Sequence, residues 1–120
     1  MGQPTPRIGV VSNVFVRQME FAKAGDVEAG HKHAYDHMTL LAKGAIRIRI
    51  GDDVSEFKAP MLILIRADQE HELTALEDET VAYCVHGLRG DDKSDDLIDP
   101  AMVPRGPALR QFLQQVVAKG

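Results

Sequence analysis

The chain has 120 residues, 44% of them hydrophobic and 27% charged, enough for one domain around a single core and too few for two ordinary ones. A net charge of −4, no basic face beyond Arg47 and Arg49, and few aromatics on which bases could stack exclude a nucleic-acid binder. The single cysteine, Cys84, excludes an internal disulfide and a Cys-built zinc finger, and no apolar run approaches the roughly 20 residues that cross a bilayer.

The start, "MGQPTPRIG", has neither the basic stretch nor the apolar segment of a secretory signal, so a soluble cytoplasmic protein is expected. "RIGVVSNVFVRQMEFAKA" is rich in β-branched residues, with a break at Ser12-Asn13. "GDVEAG" (25–30) reads as a turn by composition. "HMTLLAKG" and "AIRIRI" read as two strands meeting at Gly44. The second alternates strictly, with Ile46, Ile48 and Ile50 on a core face and Arg47 and Arg49 outward. "GDD" (51–53) is a hairpin turn into "VSEFKA". "MLILI" (61–65) is a continuous apolar run, as expected of a strand buried on both faces. "RADQEHEL" follows, and then "TVAYCVHGL" as a further strand, in which Ala82, Cys84 and His86 share one face. "RGDDKSDDLIDP" reads as an acidic surface loop.

In "GPALRQFLQQVVAKG", Leu109, Phe112, Leu113, Val116 and Val117 recur at helical spacing behind Pro107, which suits a first helical turn. A helix over about 107–119 is expected, packed on the outside of the sheets. About seven or eight short strands and one terminal helix give an all-β sandwich or barrel. The expected single domain spans 1–120, with its barrel at about 8–90.

Three of the five histidines fall within "GHKHAYDH" (30–37). On a strand, residues two apart share a face, so His31 and His33 can offer both imidazoles to one point. A turn after Tyr35 lets His37 aim at that point from the next strand, and His71 in "DQEHEL" can complete the set. Other readings stand beside this one. The pair at 31 and 33 can be a solvated loop, His37 a pocket residue behind the ligands, and His71 part of an acidic turn. His86 reads as a hydrogen-bonded strand histidine, and Cys84, mid-strand among apolar residues, as inert packing.

This pattern resembles the cupin family, whose fold is a double-stranded β-helix, or jelly-roll barrel. Gly25, His31, His33, His37 and Gly44 match the places of its first motif, with His37 where the family usually has Glu. Of the second motif only His71 matches; Pro60, Arg66, Asp68 and Ala75 stand at its other marked positions. The resemblance implies one divalent metal ion (Fe, Mn, Ni, Zn, Co or Cu) held by His31, His33, His37 and His71. It also implies a small-molecule enzyme of dioxygenase or isomerase/lyase type, with Tyr35, His86 and Glu70 as candidate catalytic groups. The alternative is a non-catalytic cupin that binds a small ligand or partner and uses its metal structurally. "HKHAYDH" also nearly spells the metallo-β-lactamase signature, but with one residue inserted and in too short a chain.

Four neutral ligands leave the metal's charge uncompensated, which favours an anionic or enolisable substrate. An octahedral ion keeps two positions open, whereas a tetrahedral zinc would be closed and structural. If His37, Thr39 and Leu41 face the interior, Met38, Leu40 and Ala42 face outward and need a cover. The N-terminal strand, the C-terminal helix or a second subunit could supply it, and a homodimer is expected.

Overall fold

The computed structural model describes residues 2–31, 36–90 and 95–119, with the backbone alone at His31 and at residues 116–119. Nine strands form two antiparallel sheets. They are β1 (Thr5–Val11), β2 (Val14–Phe21), β3 (Val27–His31), β4 (His37–Lys43), β5 (Ala45–Ile50), β6 (Asp53–Lys58), β7 (Met61–Ile65), β8 (His71–Ala75) and β9 (Thr80–Gly87). One sheet runs β1-β2-β9-β4-β7 and the other β3-β8-β5-β6. The first is called sheet A below and the second sheet B. A short 3₁₀ helix (Pro100–Met102) and the helix α1 (Pro107–Lys119) complete the chain.

The sheets close face to face because each strand alternates. In β2, "VFVRQMEF" sends Phe15, Arg17, Met19 and Phe21 to one side, and Met19 and Phe21 are fully buried. Their register partners on β9 are His86, Cys84, Ala82 and Thr80. From sheet B, Ile46, Ile48, Leu73 and Ala75 join the same apolar cluster as Met19, Phe21, Leu41, Ile63, Ile65 and Ala82. Outward, Arg47 and Arg49 pair with Glu56 at 2.8 Å and Glu72 at 3.2 Å, so the alternation of "AIRIRI" separates core from solvent as the sequence predicts.

Three expectations are corrected. The segment "GDVEAG" is a turn only at its start, because β3 already begins at Val27 and pairs with β8 at Thr74. The run "MLILI" is buried on one face only. Ile63 and Ile65 are 5% and 1% exposed, whereas Leu62 and Leu64 are 63% and 51% exposed. β7 is an edge strand of sheet A, and no layer of the described chain covers its outer side. Finally, α1 makes its main contact with the 3₁₀ helix before it rather than with a sheet, and Leu113 stays exposed.

Gly44 joins β4 to β5 with φ 83°. A side chain there would be strained by that angle and would run into Thr80 Oγ1 and the Thr80 backbone. Gly51 shares the positive φ (60°) but has nothing within 4 Å of a built Cβ. The two positions separate strain from crowding. Gly51→Ala is expected to cost about 1–2 kcal/mol from backbone strain alone, and Gly44→Ala about 2–4 kcal/mol because overpacking adds to it. Denaturant midpoints of the two variants check the difference, and equal losses would show that Thr80 yields without cost.

Candidate metal and ligand site

The interior is layered by register. At its floor, Met19, Ala82 and Leu41 stand in one row of sheet A, facing the Ala75–Ile46–Phe57 row of sheet B within the apolar cluster. The next row of sheet A is Arg17, Cys84, Thr39 and Ile63, and that of sheet B is Glu28, Leu73 and Ile48. One row further, His37 pairs with Ile65, and the backbone of His31 pairs with His71, which in turn pairs with Ile50. His37 opens β4 and His71 opens β8, so both lie at one end of the barrel.

There the structure brings two of the expected ligands together. His37 is 5% and His71 2% exposed, and their ring centroids lie 5.4 Å apart at 48°. His71 Nδ1 lies 3.1 Å from the carbonyl oxygen of Gln69. An imidazole nitrogen facing a carbonyl must carry the proton, so the neutral ring keeps its lone pair on Nε2, which is buried. This is how a ligating histidine is usually oriented, its second nitrogen donating to a backbone carbonyl. With a metal–nitrogen bond of about 2.1 Å, the rings of two histidines on one ion have centroids roughly 4.5–5.5 Å apart. The observed pair fits that range.

Asp36 fixes the approach to His37. Its carboxylate accepts from the Ala67 amide at 2.7 Å and lies 3.9 Å from Arg66, which ties the start of β4 to the turn that leads into His71. In that turn Asp68 has φ 59°. It occupies the place where the resembled motif has glycine, and aspartate is among the few residues that tolerate this conformation. The departure at 68 therefore keeps a left-handed turn.

The other expected residues divide. His33 and Tyr35 lie outside the described residues, as does the side chain of His31. Among the described residues no group of three or more His, Cys, Asp and Glu is assembled for a metal. His86 is on the inner face and stacks on Phe15 at 4.6 Å, with Nδ1 3.4 Å from the Gly87 carbonyl. Glu70 lies at the rim, beside a 290 Å³ cavity that it lines with His71, Glu72, Asp52 and Arg49.

Sequence reasoning missed the middle layer. Arg17 makes a two-pronged ion pair with Glu28, Nη1 to Oε1 at 2.9 Å and Nη2 to Oε2 at 3.3 Å. Beside it, Thr39 Oγ1 lies 3.7 Å from Cys84 Sγ. The signal was present in "VFVRQMEF", where alternation sets Arg17 on the same face as Phe15, Met19 and Phe21. Burial pushes the Cys84 thiol above its ordinary range. The Thr39 hydrogen bond and the Arg17 charge pull it back, and Glu28 adds to the rise.

No family model and no curated protein matches this chain. Solved structures do. The chain is similar to KdgF from Halomonas sp., at 18% identity and a TM-score of 0.62, over 72% of this chain and 80% of that one. It is similar to a cupin superfamily protein from Desulfitobacterium hafniense, at 15% identity and a TM-score of 0.63, over 71% and 77%. A protein with a double-stranded β-helix domain from Klebsiella pneumoniae matches at 19% identity and a TM-score of 0.63, over 82% and 87%. The fold is that of the cupins. A barrel of two antiparallel sheets is what the resemblance to the cupin motif implied, and one terminal helix is what the spacing after Pro107 predicted; among the described residues no helix is long and apolar enough to cross a membrane.

A raised pKa leaves little thiolate at Cys84, and thiolate is the reacting form. Native protein at pH 8 is expected to react with an aromatic disulfide reagent at least about tenfold more slowly than the unfolded chain. Equal rates in the native and denatured states would show the thiol to be open.

Proposed function

We propose that this cupin binds one divalent metal ion through His31, His33, His37 and His71 and uses it on a small oxygenated molecule. The observation that carries this reading is the buried pair of His37 and His71, with His71 oriented by Gln69 so that Nε2 holds the lone pair. When bound, the metal supplies a Lewis acid for a carbonyl or enolate oxygen, or a site for O₂. The chain supplies the rest. The start of β4 and the turn before β8 hold two imidazoles in place, Ile50 and Ile65 flank them with apolar surface, and the Phe15–His86 stack closes the same row. Dioxygenase and isomerase/lyase chemistry both suit this arrangement. The lone thiol suits a reducing cytoplasmic compartment.

Elemental analysis of untagged protein is expected to give one metal per chain. His71→Ala and His37→Ala should each weaken binding at least tenfold, whereas His37→Glu should retain a site, since carboxylate is also a metal ligand. Ligating imidazoles must be deprotonated, so affinity should fall as pH is lowered. A parent protein that holds no metal, and that Fe²⁺, Mn²⁺, Ni²⁺ and Zn²⁺ do not stabilise to heat, would refute the reading. Metal-dependent O₂ uptake or product formation with diketones, flavonols or sugar acids separates catalysis from a structural metal.

We also propose a homodimer through the outer face of sheet A. Met38 pairs with Leu64 and Leu40 with Leu62 on that face, and Met38, Leu62 and Leu64 are 40%, 63% and 51% exposed. β1 lies at the far edge of the same sheet, and Leu97, Ile98, Ala101, Met102, Val103 and Pro104 wall a 530 Å³ apolar cavity over β1 and β2. α1 keeps mainly to its 3₁₀ neighbour, which leaves a second copy as the cover for β4 and β7. Light scattering is expected to give twice 13.2 kDa, and Leu62→Glu with Leu64→Glu to give monomers. A parent mass near that of one chain at micromolar concentration would exclude the dimer.

A further inference from the structure

The Arg17–Glu28 pair crosses the barrel interior from sheet A to sheet B, one layer below the histidines, and is separate from the described contacts of His37 and His71, their mutual ring contact and the Gln69 carbonyl. A brace is not needed there. The two sheets are already joined by a continuous apolar cluster, and charges taken out of water cost so much desolvation that a well-packed apolar pair would hold the sheets equally well. Nor is the pair sealed off, since its side chains keep 25% and 16% of their surface exposed. An ion pair on inward-facing positions that keeps this much exposed surface is one that solvent, and hence a small ligand, can reach.

We propose that Arg17 anchors the anionic end of a small ligand whose other end lies at the histidine layer, and that Glu28 holds the guanidinium extended until that ligand arrives. The inference rests on the metal reading above for the ligand's second contact. Arginine's planar fork matches a carboxylate with two parallel hydrogen bonds, and Glu28 already occupies it in that manner. A ligand carboxylate can take the same two donors.

The register sets the size of the ligand. Arg17, Cys84 and Thr39 stand in one row, and His37 is two residues along β4 from Thr39. Rows two residues apart on a strand are separated by about 6.8 Å, the reach of a roughly three- to five-carbon acid. The side walls of that span are Thr39, Cys84, Ile65 and Leu73, which offer one hydroxyl and little other polarity. The favoured ligand class is therefore a compact 2-oxo, 2-hydroxy or dicarboxylic acid rather than a neutral sugar or an apolar diketone.

The test uses protein loaded with Ni²⁺, which takes octahedral geometry with open positions and does not oxidise in air, and calorimetric titration with malonate and 2-oxoglutarate against their neutral diamides. The parent is expected to bind the acids and not the amides. Arg17→Gln should weaken acid binding by at least about tenfold, as expected for losing hydrogen bonds to a charge. Arg17→Lys, which keeps the charge but not the fork, should fall between. Glu28→Gln, which removes the competing carboxylate, should bind the acids more tightly than the parent. Metal content and thermal midpoint are read for every variant. Arg17→Lys carries the conclusion if Arg17→Gln does not fold. Parent-like acid binding by Arg17→Gln or Arg17→Lys, or no acid binding by the nickel-loaded parent, overturns the anchor. If the parent holds none of Ni²⁺, Fe²⁺, Mn²⁺ and Zn²⁺, the metal reading fails separately. Acid binding by the metal-free protein that depends on Arg17 then upholds the anchor, and its absence removes both.

Discussion

Everything in this molecule depends on the apolar contact between two rows, Met19–Ala82–Leu41 of sheet A and Ala75–Ile46 of sheet B. That contact fixes which face of each strand points inward. Because the side-chain period of a strand is two, it also fixes every other row along the barrel. One residue of slip in β2 would turn Arg17 out to solvent and bring Gln18 in. One residue in β4 would replace His37 with Met38. The apolar floor is thus the device that delivers polar groups to the layers above it, and burial supplies the free energy that holds them there.

Moving from floor to rim, the layers grade in polarity. The floor is hydrocarbon, the middle layer holds an ion pair and a thiol–hydroxyl contact, and the end layer holds buried imidazoles. Low dielectric strengthens each polar contact and also penalises each that is left incomplete. Arg17 and Glu28 meet this by pairing, Cys84 by remaining a neutral thiol, and His71 by donating to Gln69.

How much of this was legible in the sequence follows from what kind of signal each feature leaves. Strict alternation in "AIRIRI" and the glycine at 44 leave local signals, and the strands and their junction were readable from them. The resemblance of the stretch around His31 and His37 to the cupin motif implied the barrel. "MLILI" misled because an apolar run looks the same whether both faces are covered by the chain itself or one face awaits something else. "GDVEAG" misled because Gly and Asp carry turn propensity, which the pairing of β3 with β8 overrides. Arg17 was overlooked for a related reason. A charge in an apolar alternation reads as surface until its register is known, and that register is set with β9, distant in sequence, while its partner Glu28 comes from the other sheet. The substitution of Asp68 for a motif glycine left the shape of the turn before His71 open, and its backbone angle preserves that turn.

The bulge in β3 connects these points to function. Between Glu28 and His31 the pairing with β8 shifts register, so one strand serves two layers that a regular ladder would set apart. Below the shift, Glu28 meets Arg17 from the opposite sheet; above it, the backbone of His31 pairs with His71. A bulge inserts an extra residue and re-aims the strand, and such irregularities concentrate beside functional sites. Here Gly30 stands at the irregularity, where a built Cβ would come within 3.0 Å of the Glu70 carboxylate. Glu70 is exposed and its carboxylate can swing aside, and the nearest backbone atom, the His71 carbonyl oxygen, is at an ordinary 3.5 Å, so a side chain at 30 is met by Glu70 rather than by the strand. The shift in register is therefore what lets one strand present Glu28 to Arg17 and the backbone of His31 to His71.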